Sequence, residues 1–225
     1  MQYDSNQSSP KAGQQDIGLF GGTFDPVHNG HLEICRYVLR RHHLDAILFI
    51  PAPYPPHKLY TKASFKHRVA MLRLALVNEP DMQVSLIEEE HRGRSYTVDT
   101  IETLKKKYPE TRYSLIIGGD SLQELRTWHR SERLLSLVDV IVAGRRDQTP
   151  SFFVADCVKG LKPEFQYDQS IQQFRSTANT KLIYHGHLHI PVSSSQVRSQ
   201  LQSGICPSGL DPVVQNYIQE HNLYR

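Results

Sequence analysis

The chain has 225 residues, 39% hydrophobic and 22% charged, which fits a globular protein with one sizeable core and excludes a low-complexity or fibrous class. Lys+Arg 26 against Asp+Glu 23 gives a formal charge of +3, too slight to argue for a nucleic-acid binder, although it suits substrates that carry phosphates. Cys35, Cys157 and Cys206 are far apart and form no CxxC pair, which argues against a disulfide framework or a structural zinc site.

Residues 1–15, rich in Ser, Gln and Asn, lack the apolar segment of a secretory signal and read as a disordered leader. No apolar run approaches the ~18 residues of a membrane span, so a cytoplasmic protein is expected. The first strand, 17–20, runs into Gly21-Gly22, and a helix starts near Asn29 or Gly30 with Leu32, Ile34, Cys35, Val38 and Leu39 on its buried side. A second strand, 46–50, stops at Pro51, where a loop rich in proline runs to residue 63. Ser64 can cap a helix holding Val69, Met71, Leu72, Leu74 and Ala75. Residues 82–87 read as a strand, 97–107 as a helix, 113–117 and 138–143 as two more strands. Residues 147–180 show no sustained period and are expected to form an irregular excursion with one helix. A last strand at 182–184 precedes two helices within 194–225, the second announced by Asp211-Pro212. Strands alternating with helical patterns predict an α/β fold over 16–225: a Rossmann-like, doubly wound parallel sheet, one domain with a small C-terminal helical part.

The most informative segment is Gly21-Gly22-Thr23-Phe24-Asp25-Pro26-Val27-His28-Asn29-Gly30-His31. Two glycines at a strand end let backbone approach a ligand without a Cβ in the way. The helix start that follows favours an anion through its unpaired N–H groups and dipole. His28 and His31, three apart, can face one side and offer ring N–H donors to phosphate. A zinc reading of the two histidines lacks further ligands nearby in sequence. Either piece alone is common in structural roles; the complete string between strand and helix is far more specific.

The segment resembles the nucleotidyltransferase superfamily, marked by HxGH (here His28-Asn29-Gly30-His31) after a glycine-rich turn, and within it the bacterial nicotinate mononucleotide adenylyltransferase family. The same likeness extends to Pro56-His57-Lys58, to 93–100 (Gly-Arg-Ser-Tyr-Thr-Val-Asp-Thr), to Gly119-Asp120-Ser121-Leu122 with Trp128, to 193–198 (Ser-Ser-Ser-Gln-Val-Arg), and to Tyr217-Ile218 through Leu223-Tyr224. It covers 16–146 and 190–225 in the family's order. His91 stands where the family usually has arginine, Arg145-Arg146 replaces Arg-Pro, and Ser195 ends what is usually Ser-Ser-Thr.

The resemblance implies transfer of AMP from ATP to nicotinate mononucleotide, with Mg²⁺ carried on the ATP phosphates and no protein metal ligands. It assigns His28, His31, Lys58 and Arg198 to the transfer. Gly21, Gly22, Thr23, Phe24, Asp120, Ser194 and Ser195 join His28, His31 and Arg198 on ATP; Gly22, Thr23, Lys58, Ser95, Tyr96, Thr97 and Trp128 belong to the mononucleotide. Asp120 reads equally well as a helix cap or a ribose contact, and Thr97 as a helix cap or a donor to the nicotinate carboxylate. Trp128, the only tryptophan, precedes His129-Arg130, a polar setting unlike that of a core tryptophan. No nucleic acid or membrane partner is expected, and a homo-oligomer stays open. Related transfers to another acceptor, or a sensor that binds ATP without turnover, are the competing functions; the Ser-Tyr-Thr and Trp128 blocks favour a pyridine acceptor.

Overall fold

A computed structural model describes residues 15–55, 60–90, 93–144, 150–186, 188 and 191–225. Eight strands form one sheet in the order β3-β2-β1-β4-β5-β8-β7-β6. The first six of that order, β3 (Met82–Val84), β2 (Ala46–Pro51), β1 (Asp16–Gly22), β4 (Arg112–Gly118), β5 (Asp139–Ala143) and β8 (Lys181–His185), pair in parallel. The hairpin β6 (Phe165–Asp168) and β7 (Gln173–Ser176) extends that edge antiparallel. Chain order reverses between β1 and β4, the switch point at which open α/β sheets bind ligands.

Both faces are covered, which is why the central strands are apolar almost without interruption. On one face Phe20, Phe49, Ile116 and Ile141 pack against α1 (Asn29–His42), α2 (Phe65–Ala75) and α8 (Pro212–Glu220), with Val197 of α7 (Ser194–Gln202). On the other, Leu19, Leu115, Ile117, Val140 and Val142 meet α3 (Thr97–Lys107), α4 (Gly119–Glu124), α5 (Ser131–Leu137) and α6 (Pro150–Val158). The alternation of Leu115, Ile116 and Ile117 between the two cores is the two-residue strand period written in side chains. Helix α1 buries Leu32, Ile34, Cys35 and Val38, with Leu39 half-buried beside them, and its last turn carries Arg40, Arg41 and His42, which complement the dipole.

The α/β sheet and the single run of elements match the sequence reading, with four differences. From Pro150 the stretch read as an irregular excursion holds the one helix allowed there, α6, and then a regular β6–β7 hairpin that was not expected. The expected strand at 82–87 stops at Val84, and Ile87–Glu90 turns as a 3-10 helix that buries Ile87. Helices α4 and α5 had no counterpart in the reading. Gln15 belongs to the fold and not to the leader, since its carbonyl accepts the Arg112 N–H at 2.8 Å; the rest of the leader lies outside the described residues. No helix among the described residues is long and apolar enough to cross a membrane.

Candidate active site

Strand β1 delivers Gly21-Gly22 to the carboxyl edge of the sheet, and the chain reaches α1 through a turn that is itself buried: Phe24, Asp25, Val27 and His28 are all inside. Phe24 adopts φ 50°, the left-handed region that a bulky side chain rarely occupies, and its ring packs edge-on to His31 at 5.2 Å and to Phe20 at 5.8 Å. A Cβ on Gly22 would meet that ring at 3.0 Å, so this glycine makes room for Phe24. A Cβ on Gly21 would meet nothing within 4 Å, so packing does not demand glycine there. Phe24 itself, read in sequence as an ATP contact, spends its ring on the core and has only backbone to offer a ligand.

His28 is the N-cap of α1 and His31 lies in its first turn, their rings stacked at 3.6 Å with 29° between planes. The His28 backbone N–H donates to His31 Nδ1 at 3.1 Å. An accepting Nδ1 puts the proton of the neutral ring on Nε2, so the tautomer of His31 is set by the helix cap. The first turn of α1 carries no acidic side chain, so its positive end is uncompensated from within the helix.

Helix α7 is tied to this turn from outside. Ser193, its N-cap, accepts the Gln196 N–H at 3.2 Å, a contact worth about 1 kcal/mol. The Ser194 hydroxyl donates to the Pro26 carbonyl at 2.9 Å, Arg198 donates to the Asp25 carbonyl at 2.7 Å, and its second amino group reaches Ser195 Oγ at 3.1 Å. His28, His31, Ser194, Ser195 and Arg198, read separately from sequence, therefore converge on one turn. Thr23, half-buried in the same turn, gives its carbonyl to Arg68.

Three residues to which the sequence reading gave no role hold the turn together. The buried Asp25 carboxylate accepts the N–H groups of Lys62 (2.7 Å) and Ala63 (3.0 Å) and the Tyr224 hydroxyl (2.7 Å). Arg68, fully buried on α2, donates to the carbonyls of Thr23 at 2.6 Å and Ala52 at 2.9 Å. Burial pulls its guanidinium pKa down, and Asp25 and Tyr224 push it back up. Burial, with the Asp25 carboxylate, drives the Tyr224 phenol far above its ordinary value, so Tyr224 remains a donor at any working pH. A signal for Arg68 existed: it falls on the α2 stripe of Leu72 and Ala75, where a charged residue needs buried partners.

A second group is built on the start of α3, on α4 and on the segment that follows it. Tyr96 is the N-cap of α3 and stacks on His129 at 4.2 Å, while the Ser95 N–H donates to the Tyr54 carbonyl of the proline-rich loop at 3.2 Å. Thr97 is the first helical residue, not the cap the sequence allowed. Trp128 is half-buried against the second core, a position between the surface and core readings. Asp120 lies exposed in the first turn of α4, just past β4, with Gly118 at the N-cap, so it is not the helix cap. Lys58, His91 and Arg146 lie outside the described residues.

A largely parallel sheet with a buried glycine-rich turn and two stacked imidazoles at its switch point defines a nucleotidyltransferase-type domain, and the cytidylyltransferase-like family matches residues 19–200. A relative from Citrifermentans bemidjiense, named a probable nicotinate-nucleotide adenylyltransferase, is 35% identical over 210 residues, 92% of this chain and 97% of that one. One of the same name from Carboxydothermus hydrogenoformans is 37% identical over 210 residues, 93% and 98% of the two chains. This chain belongs to the nicotinate-nucleotide adenylyltransferase family. In fold it is similar to Plasmodium falciparum nicotinic acid mononucleotide adenylyltransferase complexed with NaAD: TM-score 0.69 and 20% identity, over 94% of this chain and 98% of that one.

Proposed function

We propose that the protein transfers the AMP moiety of MgATP to the phosphate of nicotinate mononucleotide, forming nicotinate adenine dinucleotide and pyrophosphate in NAD synthesis. The observation that carries the reading is the buried turn at the switch point, where stacked His28 and His31 cap an α1 whose first turn holds no acid. A phosphate monoester, with a second pKa of about 6, is already mostly dianionic at neutral pH, so its attack on the α-phosphorus needs no general base. The task left to the protein is to bring two polyanions together and stabilise charge as it moves to the leaving pyrophosphate.

In this reading His31, its proton on Nε2, donates to a phosphoryl oxygen, and His28 beside it holds the neighbouring phosphate at the positive end of the α1 dipole. Arg198 takes the β/γ end, where its fork can meet two oxygens, with Ser194 and Ser195 at the same helix start. Lys58 adds a point charge from the proline-rich loop, whose flanks are held by Arg68 at Ala52 and by Asp25 at Lys62 and Ala63. Gly21, Gly22, Thr23 and the Phe24 backbone line the phosphates, and Asp120 takes a ribose hydroxyl. Trp128 and Ser95-Tyr96-Thr97 flank the pyridine. Mg²⁺ arrives with ATP as part of the substrate; among the described residues no three His, Cys, Asp or Glu side chains form a metal-binding group.

The test is pyrophosphate release from MgATP with nicotinate mononucleotide and with nicotinamide mononucleotide in turn. Release with the nicotinate form is expected. ATP binding without release with either would make the chain a nucleotide sensor instead.

A further inference from the structure

We propose that Tyr224 is a positioning residue for adenylyl transfer: by holding the Asp25 carboxylate it sets the end of the proline-rich loop and Arg198 in register around the phosphate turn. The inference rests on the reading of Arg198 as a contact of the leaving pyrophosphate. Asp25 is where four segments meet. Its Oδ1 accepts both the Ala63 N–H and the Tyr224 hydroxyl, its Oδ2 accepts the Lys62 N–H, and its backbone carbonyl accepts Arg198. One residue of the turn thus ties the loop end, α7 and the segment after α8 together. Asp25 is 4% exposed and Tyr224 7%, so solvent offers no ready substitute for a lost bond.

The Tyr224 ring belongs to the first core, yet its hydroxyl is spent entirely on the turn. The ring alone would serve packing. A hydroxyl aimed at a carboxylate that two loop amides share serves the relative placement of those groups. With Arg68 fixing Thr23 and Ala52 from α2, the turn and both flanks of the loop become one hydrogen-bonded unit.

Tyr224→Phe keeps the ring and deletes the bond. We expect kcat to fall about tenfold, the scale of one lost bond to a charged acceptor, with KM for nicotinate mononucleotide within about twofold. In an Arg198→Ala background the same change should cost clearly less than tenfold, because the part of its effect that runs through Arg198 is already gone. Tyr217→Phe is the control: it deletes a hydroxyl contact of α8, to His67 at 2.9 Å, and should leave kcat within about twofold. All variants are assayed where circular dichroism shows them folded. Unchanged kcat in Tyr224→Phe, losses that multiply with Arg198→Ala, an equal loss in Tyr217→Phe, or an unfolded Tyr224→Phe protein would each overturn positioning. An inactive parent chain would overturn the reaction reading and this inference together, which separates the two failures.

Discussion

The two halves of the candidate site are built on different principles. The turn proposed for the phosphates is wired from inside: Asp25 and Arg68 are buried, and their bonds reach four distant segments. The wall proposed for the pyridine is held from outside, by Tyr96 on His129 and by the surface ion pairs of Arg130 with Asp99 and Glu102. The half assigned to chemistry is thus fixed in advance, where small displacements of donors are costly. The half assigned to recognition rests on short helices and exposed contacts that can adjust.

Arg68→Met breaks the comparison hardest. It leaves two carbonyls without their donor beneath the turn, and about 3–5 kcal/mol of folding stability should be lost in urea unfolding. A loss under about 1 kcal/mol would mean the turn does not depend on its buried wiring. Next come His28→Ala and His31→Ala, each expected to lower kcat at least ~100-fold, since one lost donor to developing charge is worth ~2.7–4 kcal/mol. Steady-state rates decide it, and near-normal kcat would make the histidines structural.

On the other half the effects shrink. Trp128→Ala should weaken nicotinate mononucleotide binding by ~1 kcal/mol and spare ATP, read by calorimetry on both ligands. A stability loss of ~3–5 kcal/mol with no binding defect would instead make Trp128 part of the second core. Smallest is Arg130→Ala, whose exposed pairs should contribute no more than ~1 kcal/mol to unfolding and less in high salt. An effect as large as that of Arg68→Met would erase the distinction between the halves.

The same contrast explains what could be read from the chain. Helices α1 and α3 show apolar periods and were legible to within a residue or two, as was the turn between β1 and α1, a local string whose spacing survives in one dimension. Helices α4 and α5, six and seven residues long, are too short for a period to emerge. The β6–β7 hairpin joins two four-residue strands at the sheet edge, with few buried side chains to mark them. Leu86 and Ile87 continued the apolar pattern of β3, but Glu89 turns back to Leu86 and makes a 3-10 turn where a strand was expected. The hub role of Asp25 was invisible for another reason. The residue stood in plain view within the motif, while its partners Lys62, Ala63 and Tyr224 lie far along the chain, and only folding brings them together.

The most direct test of the account follows the α-phosphorus itself. ATP labelled at the α-phosphate is incubated with Mg²⁺ and nicotinate mononucleotide, and the products are separated by chromatography. The account requires label in nicotinate adenine dinucleotide, in amounts equal to the pyrophosphate released and absent without the mononucleotide. Label appearing only as AMP, or remaining in ATP under conditions where both ligands bind, would contradict it.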